Sequence, residues 1–150
     1  MLEKALILAA KAHTGQVDKG GAPYILHPIR VMLACEGEKE KIVALLHDTL
    51  EDTALTAADL RRAGFPEEIV QAVCCLTRGQ KEDYMDYIAR ICENALAARV
   101  KYADLQDNLD IRRIPNPTER DFARIRKYEQ AMKRITRSIK GGREHGALDT

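Results

Sequence analysis

The sequence predicts an all-α fold, a single compact bundle of about seven to nine helices. Apolar residues recur at spacings of three and four along most of the chain, which is the helical period. No segment shows the sustained period-2 alternation of β-branched residues that a strand requires. The 150 residues suit one domain with one core, because a chain of this length buries enough surface to fold unaided.

The N-terminal third is predicted to contain three helices and one long loop. The stripe of the first helix consists of Leu2, Leu6, Ala9, Ala10 and His13. Residues 14–25 contain three glycines and a proline, so they form a loop. Pro28 fits the first turn of the second helix, which ends near Cys35. The third helix is predicted as one continuous segment from Glu38 to about Asp52.

Capping residues predict the helices in the middle of the chain. Thr56 is a good N-cap with Asp59 at the third helical position, which is close to a capping box. Gly64 is expected to end that short helix. Pro66 opens the next helix, which we expect to run to about Leu76.

The C-terminal half is predicted to contain three further helices after a polar loop at residues 78–81. They are expected at residues 83–92, 95–112 and 118–139. A Pro-Asn-Pro segment breaks the chain before the last helix, and Thr118 caps it. The glycine pair after residue 140 is predicted to stop that helix, so residues 1–140 form the folded domain and residues 141–150 a flexible tail.

Charge, hydropathy and cysteine usage exclude several classes of partner. The 24 basic and 23 acidic residues give a net charge of +1, without the basic excess that DNA, RNA or a membrane surface requires. No apolar run approaches the roughly 20 residues of a membrane span. None of the four cysteines forms a CxxC pair, which is typical of buried thiols in a reducing compartment. We therefore expect a cytoplasmic protein with no nucleic-acid or membrane partner.

The segment from His47 to Asp52 is the strongest candidate for chemistry. His47 and Asp48 follow the apolar run at residues 42–46, so they are expected to project into the interior. A spacing of four residues places Glu51 beside His47 and Asp52 beside Asp48. Three carboxylates this close repel one another unless a cation lies between them. The segment therefore indicates a divalent-metal site rather than a solvated acidic face.

Two other segments carry residues that suit a metal site. His27 stands at a helix start after the glycine- and proline-containing loop, where a capping or core role is the alternative. Asp104 has Lys101 three residues before it and Asn108 four residues after it, all on one helical face. Such an aspartate is either solvated or a ligand flanked by a cation and an amide.

Taken together, these segments resemble the HD-superfamily metal phosphohydrolases, and most closely the hydrolase domain of RelA/SpoT-type alarmone enzymes in its stand-alone form, the small alarmone hydrolases. The similar stretches are residues 13–16, 21–28, 47–52, 76–78 and 100–108. They occur in the order found in the family and span residues 1 to about 115. The joint pattern is specific, whereas no single stretch is.

The resemblance implies a compact HD domain that binds one divalent metal ion, usually Mn²⁺. The implied ligands are His27, His47, Asp48 and Asp104. Glu51 and Asp52 match the catalytic pair of the family, which deprotonates a water of lowered pKa and passes a proton to the leaving 3′ oxygen. The implied reaction is hydrolysis of the 3′-pyrophosphate of (p)ppGpp, giving GDP or GTP and pyrophosphate.

The resemblance also implies residues that contact this small-molecule substrate. The matching positions near the nucleotide are Lys19, Tyr24, Lys101 and Asn108. Arg78 and Lys81 follow the matching stretch at residues 76–78 and are candidates for phosphate binding. The alternative for each basic residue is a solvated surface charge. Homologues of the family associate, which leaves a homo-oligomer open.

Two positions depart from the family pattern. The family loop reads His-x-Gly-Gln-x-Arg-Lys, with the arginine packed against guanine, whereas this chain has Asp18 there. The exchange reverses the charge and removes a guanidinium able to stack on a base. An aspartate can accept from guanine N1–H and N2–H₂ or from the amino group of adenine, so the base stays open. Ile111 replaces a threonine that synthetase-linked members tend to carry near the ribose.

Three alternatives to ppGpp hydrolysis stay open. The first alternative, which Asp18 favours, is the same chemistry on (p)ppApp or on the 2′-phosphate of NADPH. A catalytically silent nucleotide-binding module is the second alternative, although the intact set of ligands with Glu51 and Asp52 argues against it. The third alternative is a general HD nucleotidase acting on 5′-monophosphates. The stretch at residues 21–28 counts against it, because many other HD enzymes lack that loop. No synthetase domain follows in this sequence, so we expect alarmone degradation alone.

Overall fold

The computed structural model describes the backbone of residues 1–148 and the side chains of residues 1–142. Within that range the chain forms nine α-helices, one 3₁₀ turn and no strand beyond an isolated bridge between Val17 and Pro23. The α-helices are α1 (Leu2–Ala12), α2 (Leu26–Leu33), α3 (Glu38–Leu46), α4 (Thr49–Asp52), α5 (Ala57–Arg62), α6 (Glu67–Cys75), α7 (Tyr84–Ile91), α8 (Ala95–Asn108) and α9 (Glu119–Leu148). The all-α prediction is confirmed. No helix in the described part is long and apolar enough to cross a membrane.

Helices α3 and α8 lie at the centre of the bundle. Residues 42–46 of α3 are all at most 3% exposed, so this helix is buried on every side at its C-terminal end. Eight residues of α8 are also buried, among them Lys101 and Asp104. The neighbours of α3 are α1, α2, α6 and α8, and α9 packs along the other side of α8. A chemically active residue at the end of α3 or within α8 is thus held by packing on several sides.

The predicted third helix is interrupted, which corrects the expectation of one continuous segment. Helix α3 ends at Leu46 and α4 begins at Thr49. Asp48 has φ −100° and ψ −1°, which lies in the bridge region rather than in the helical minimum. The buried hydroxyl of Thr49 donates to the Leu46 carbonyl oxygen at 2.7 Å and closes the turn. Glu51 and Asp52 therefore belong to a separate short helix, α4, rather than to the end of α3.

The capping signals predicted the helix boundaries of α5 and α6 correctly. The Thr56 hydroxyl accepts the N–H of Asp59, and the Asp59 carboxylate accepts the N–H of Thr56, so the capping box is complete. Gly64 follows α5 with φ +92°, a left-handed conformation that favours glycine. Pro66 directly precedes α6. These boundaries depend on contacts within a few residues, which explains why the sequence predicts them well.

Two helix ends in the C-terminal half differ from the prediction. Helix α8 ends at Asn108 instead of near residue 112, and a 3₁₀ turn at Ile111–Arg113 follows it. Helix α9 continues through Gly141 and Gly142 to Leu148, so the predicted stop is wrong. Neither glycine adopts the left-handed conformation that commonly ends a helix. The predicted flexible tail extends to residues 149–150, which lie outside the described residues.

Candidate metal centre

A cavity of about 470 Å³ opens where α2, the α3–α4 junction, α8 and α9 meet. Its wall includes three of the four predicted metal ligands, His27, Asp48 and Asp104, and both predicted catalytic residues, Glu51 and Asp52. His47, the fourth predicted ligand, lies beneath this wall and is 2% exposed. The structure therefore brings together residues that are far apart in the sequence.

The four predicted ligands converge on one point. His27 Nε2 lies 2.9 Å from Asp104 Oδ1 and 3.8 Å from Asp48 Oδ2. His47 Nε2 lies 3.0 Å from Asp48 Oδ2 and 3.4 Å from Asp104 Oδ1. Two ring nitrogens and two carboxylate oxygens from three separate elements therefore share a single small volume.

The chemistry of His47 fits a metal ligand. Its Nδ1 lies 2.6 Å from the carbonyl oxygen of Ala44, and because a carbonyl only accepts, Nδ1 carries the proton. Its Nε2 is buried and, although the Asp48 and Asp104 oxygens lie close to it, forms no hydrogen bond of suitable geometry among the described residues. Buried polar atoms nearly always have a partner, so this nitrogen requires an explanation. A divalent cation held by Nε2 and the adjacent carboxylates provides one.

Electrostatics around the convergence point favour positive charge. Burial lowers the pKa of His47, but Asp48 and Asp104 outweigh that effect and hold it well above the ordinary value. Burial raises the pKa of Asp104, while Lys101 and His47 outweigh it and hold that pKa well below its usual range. For Asp48, His47 likewise outweighs burial and lowers the pKa to about 2. The two carboxylates therefore stay ionised and attract a proton or a metal cation to this point.

A second layer of contacts orients His27. Its Nδ1 lies 2.7 Å from Oδ2 of Asp107. The guanidinium of Arg30 in turn donates one hydrogen bond to each oxygen of the Asp107 carboxylate. Carboxylates in this position fix the ring orientation and the tautomer of a metal-binding histidine. Asp107 was not predicted from the sequence. Its position three residues after Asp104, on the same helical face, was the available signal.

Three of the residues predicted to contact the nucleotide also hold the predicted ligands. Lys101 Nζ donates to Asp104 Oδ2 at 2.8 Å, and Asn108 Nδ2 donates to Asp104 Oδ1 at 3.0 Å. The hydroxyl of Tyr24 donates to Oδ2 of Asp48. Burial and the charge of Asp48 raise the pKa of Tyr24, which keeps this hydroxyl protonated as a donor. All three residues line the cavity as well.

Helix α4 places the two predicted catalytic carboxylates at the edge of the cluster. Glu51, Asp52 and Asp48 each offer an oxygen atom, and these atoms lie within 4.8 Å of one another. Burial, and then the charge of Asp48, raise the pKa of both Glu51 and Asp52. Glu51 Oε1 also accepts the backbone N–H of Arg78 at 2.7 Å. A carboxylate with a raised pKa suits a group that accepts and returns a proton.

The side chain of Asp18 stabilises the loop before α2 through hydrogen bonds to the loop backbone. Oδ1 of Asp18 accepts the N–H groups of Gly20 and Ala22, each at 2.9 Å. Gly20 lies so close to the 3₁₀ turn that a Cβ atom would be 2.5 Å from the carbonyl oxygen of Arg113. One of the two Asp18 oxygens is therefore occupied by the loop. The neighbouring Lys19 lines the cavity and pairs with Asp121 at 3.3 Å.

Several residues of the cavity wall were not predicted from the sequence. These residues are Tyr84, Arg113, Lys127 and Tyr128. In the sequence, an aromatic residue on an amphipathic helix resembles a core residue, and a basic residue resembles a surface residue. Only the packing of α7 against α9 shows that these side chains line the cavity. Of the two residues predicted as candidates for phosphate binding, Arg78 lines the cavity, whereas the structure does not bring the exposed Lys81 to it.

Comparison with known proteins supports the resemblance. No protein-family model matches the chain. It is 30% identical to a GTP pyrophosphokinase of Myxococcus xanthus over an alignment of 144 positions that covers 83% of this chain. It is 32% identical to a guanosine-3′,5′-bis(diphosphate) 3′-pyrophosphohydrolase of Aquifex aeolicus over an alignment of 120 positions that covers 72% of this chain. The chain spans only 18% and 17% of the lengths of these two relatives.

A solved structure shows the same architecture over nearly the whole chain. It is described as a metazoan ortholog of SpoT that hydrolyses ppGpp and plays a role in starvation responses. The TM-score is 0.73 at 26% identity, and the match covers 93% of this chain and 85% of that chain. Similarity to this type of hydrolase implies a divalent metal ion. The buried side chains of His27, His47 and Asp104 could hold such an ion. By sequence and by structure, the chain belongs to the RelA/SpoT-type hydrolase domains of the HD superfamily.

Proposed function

We propose that this chain is a Mn²⁺-dependent phosphohydrolase that removes the 3′-pyrophosphate of (p)ppGpp-type alarmones. The observation that carries the proposal is the convergence of two histidine nitrogens and two carboxylates, those of Asp48 and Asp104, at one cavity, with Glu51 and Asp52 at its edge. Relatives named for this reaction support it.

The proposed metal ligands are His27, His47, Asp48 and Asp104. Mn²⁺ accepts mixed nitrogen and oxygen ligands and a coordination number above four, which leaves positions for water and substrate oxygen. When bound, the metal would lower the pKa of a water molecule and stabilise negative charge on a phosphoryl oxygen.

The proposed reaction uses Glu51 and Asp52 to move protons. One of these carboxylates accepts a proton from the attacking water, whose oxygen bonds to the phosphorus attached to O3′. The O3′–P bond breaks, its electron pair stays on O3′, and that oxygen takes up a proton. The products are GDP or GTP and pyrophosphate. The raised pKa of both carboxylates supports a role in proton transfer.

The remaining predicted residues would position the nucleotide. Lys19, with its side chain half exposed, lies on the loop before α2 at one part of the cavity wall. Tyr24 and Asn108 contact the ligand carboxylates and line the same cavity, which supports a place for the ribose near them. Arg78 would bind a phosphate, since it adjoins Glu51.

A second candidate is the same reaction on another nucleotide, (p)ppApp or the 2′-phosphate of NADPH. Asp18 favours this candidate, because it stands where family members carry a base-packing arginine. One oxygen of Asp18 is held by the loop, so any contact with a base would involve the other oxygen.

A product assay with Mn²⁺-loaded protein tests the proposal. We expect ppGpp to be converted to GDP and pyrophosphate, and we expect slower turnover of a 5′-mononucleotide. Parallel reactions with ppApp and NADPH measure the second candidate. Metal-loaded protein that turns over none of these nucleotides would show that the chain is not this enzyme.

A further inference from the structure

One wall of the cavity carries positive charge that is not neutralised by a carboxylate. Lys127 of α9 has its Nζ 4.3 Å from the ring centroid of Tyr84 and 5.6 Å from that of Tyr128. The guanidinium carbon of Arg78 lies 5.3 Å from the same Tyr84 ring. We refer to Lys127, Arg78 and Tyr84 as the α7–α9 wall.

The other basic residues of the cavity are all paired with carboxylates. These pairs are Lys19 with Asp121, Arg30 with Asp107, Lys101 with Asp104, and Arg113 with Asp107 and Asp110. Among the described side chains, Lys127 and Arg78 form no such ion pair. The Nε of Arg78 donates only to the backbone carbonyl oxygen of Glu82 at 3.0 Å. Two charges on this wall are therefore available to an anion.

The surroundings of Lys127 make an anion favourable. Burial, and then the charges of Arg78, Arg124 and Lys101, lower the pKa of Lys127. A half-buried ammonium group beside other cations is destabilised, and a bound anion removes that cost. The hydroxyl of Tyr84 is buried and lacks a hydrogen-bond partner among the described residues. Two cations and a free O–H donor form a suitable binding group for phosphate oxygens.

The position of the α7–α9 wall relative to the catalytic carboxylates identifies which phosphate it would bind. The backbone N–H of Arg78 donates to Glu51 Oε1 at 2.7 Å, so the wall adjoins the predicted reaction centre at Arg78, and Lys127 and Tyr84 line the same cavity. The phosphorus that is attacked must lie at Glu51 and the metal ligands. An anion on the neighbouring wall is then one phosphate further from the ribose.

We propose that Lys127, with Arg78 and the Tyr84 hydroxyl, binds the terminal phosphate of a 3′-diphosphate and thereby selects a diphosphate over a monophosphate at that position. This inference rests on the proposed function, because it assigns part of that substrate to a specific wall. Lys127 is then a specificity-determining residue on a helix that carries none of the predicted metal ligands.

A binding experiment tests this inference without any turnover. Inorganic pyrophosphate and orthophosphate are titrated into Mn²⁺-loaded protein by isothermal titration calorimetry. We expect Lys127→Gln to weaken pyrophosphate about tenfold, the size of one charge-assisted hydrogen bond, and to leave orthophosphate within about twofold. The matched control is Lys133→Gln, which removes the same charge from an exposed position of α9. An equal loss for both anions, or no loss for pyrophosphate, would overturn the inference.

Tyr84→Phe provides a second, independent variant. It removes only the buried hydroxyl and keeps the ring against which Lys127 lies, so folding is preserved. We expect a smaller loss of pyrophosphate affinity, about three- to fivefold. Unchanged affinity in both Tyr84→Phe and Lys127→Gln would show that the wall does not bind the terminal phosphate.

Kinetics separate this inference from the reaction itself. For guanosine 5′-diphosphate carrying a 3′-diphosphate or a 3′-monophosphate, we expect Lys127→Gln to raise KM for the diphosphate only, with kcat nearly unchanged. If the wild type hydrolyses neither nucleotide but needs Lys127 to bind pyrophosphate, the proposed function fails and the subsite stands. If it hydrolyses the diphosphate and Lys127→Gln changes neither KM, the subsite fails and the function stands.

Discussion

His27 and Asp107 stand 80 positions apart in the sequence, yet Nδ1 of the histidine lies 2.7 Å from Oδ2 of the aspartate. This contact directs the other ring nitrogen, Nε2, toward Asp104 and Asp48. Asp107 thus sets the orientation of a predicted ligand without belonging to the ligand set.

We expect Asp107→Asn to weaken Mn²⁺ binding about 10- to 100-fold, because the neutral amide still contacts His27 but no longer increases its basicity. Isothermal titration of Mn²⁺ measures the effect. Asp86→Asn, at an exposed position of α7, is the control for the loss of one carboxylate. Equal affinities in the wild type and Asp107→Asn would show that this contact has no influence on the metal.

We expect Lys101 to influence the pH range in which the proposed cluster binds metal. Its charge is the strongest effect that opposes burial and holds the pKa of Asp104 low. In Lys101→Met that pKa rises, so Asp104 takes up a proton at a higher pH and competes with the metal there. We expect the Mn²⁺ affinity of the variant to fall more steeply than that of the wild type between pH 7 and pH 5. Parallel pH profiles in the two proteins would contradict this assignment.

Glu51 and Asp52 are predicted to act on the water and not on metal binding. Glu51→Gln and Asp52→Asn should each lower kcat by about 10²- to 10⁴-fold while Mn²⁺ still binds. In the wild type, the rate should decline as the pH falls through the raised pKa values, because protonated carboxyls cannot accept a proton. Glu129→Gln, on the exposed face of α9, is the control. Near-normal kcat in both variants would remove them from the mechanism.

Asp18 offers a test that separates loop structure from base recognition. Asp18→Asn keeps an oxygen that can accept from Gly20 and Ala22, whereas Asp18→Ala loses both hydrogen bonds. We expect Asp18→Asn to leave the ratio of ppGpp to ppApp turnover within about twofold, and Asp18→Ala to raise KM for both nucleotides several-fold. A large change in the ratio of ppGpp to ppApp turnover in Asp18→Asn would show instead that the charge of Asp18 determines which base the protein prefers.

Leu45 provides a stability test for the central helix. Its side chain is fully buried in α3, so Leu45→Ala should lower the free energy of unfolding by about 2–5 kcal/mol. Leu33→Ala, at a position that is 69% exposed, should change it by less than about 1 kcal/mol. Denaturant unfolding measures both. Similar values for the two variants would contradict the central place of α3 in the core.

The helix boundaries that were predicted correctly depend on neighbours in the sequence. Thr56 and Asp59 cap α5 by bonding to each other, and Gly64 supplies the conformation that follows that helix. The break at Asp48 was missed, since apolar residues continue on both sides of it and Thr49 closes the turn through a buried contact. The glycine pair of α9 misled the prediction, because a glycine ends a helix only when the chain turns there.

The predicted ligands were accessible from the sequence because they occur in short stretches that resemble a known family. Asp107, Lys127 and Tyr84 were not accessible in this way. Their contacts depend on how α8 packs against α2 and how α9 packs against α7, and such packing leaves no local signal. The sequence therefore predicted the side chains that converge in the cavity better than it predicted the rest of the cavity wall.

The predicted ligands come from α2, the α3–α4 junction and α8, with His27 and Asp104 separated by 77 positions. No short fragment of the chain contains all of them, so the unfolded chain lacks a formed site. Binding of the proposed metal would therefore be linked to folding: at a free Mn²⁺ concentration of one hundred times Kd, the native state would gain about 2.7 kcal/mol. Thermal melting at graded Mn²⁺ concentrations thus reports on the assembly of the whole bundle, with the ion serving as a thermodynamic probe of its cooperativity.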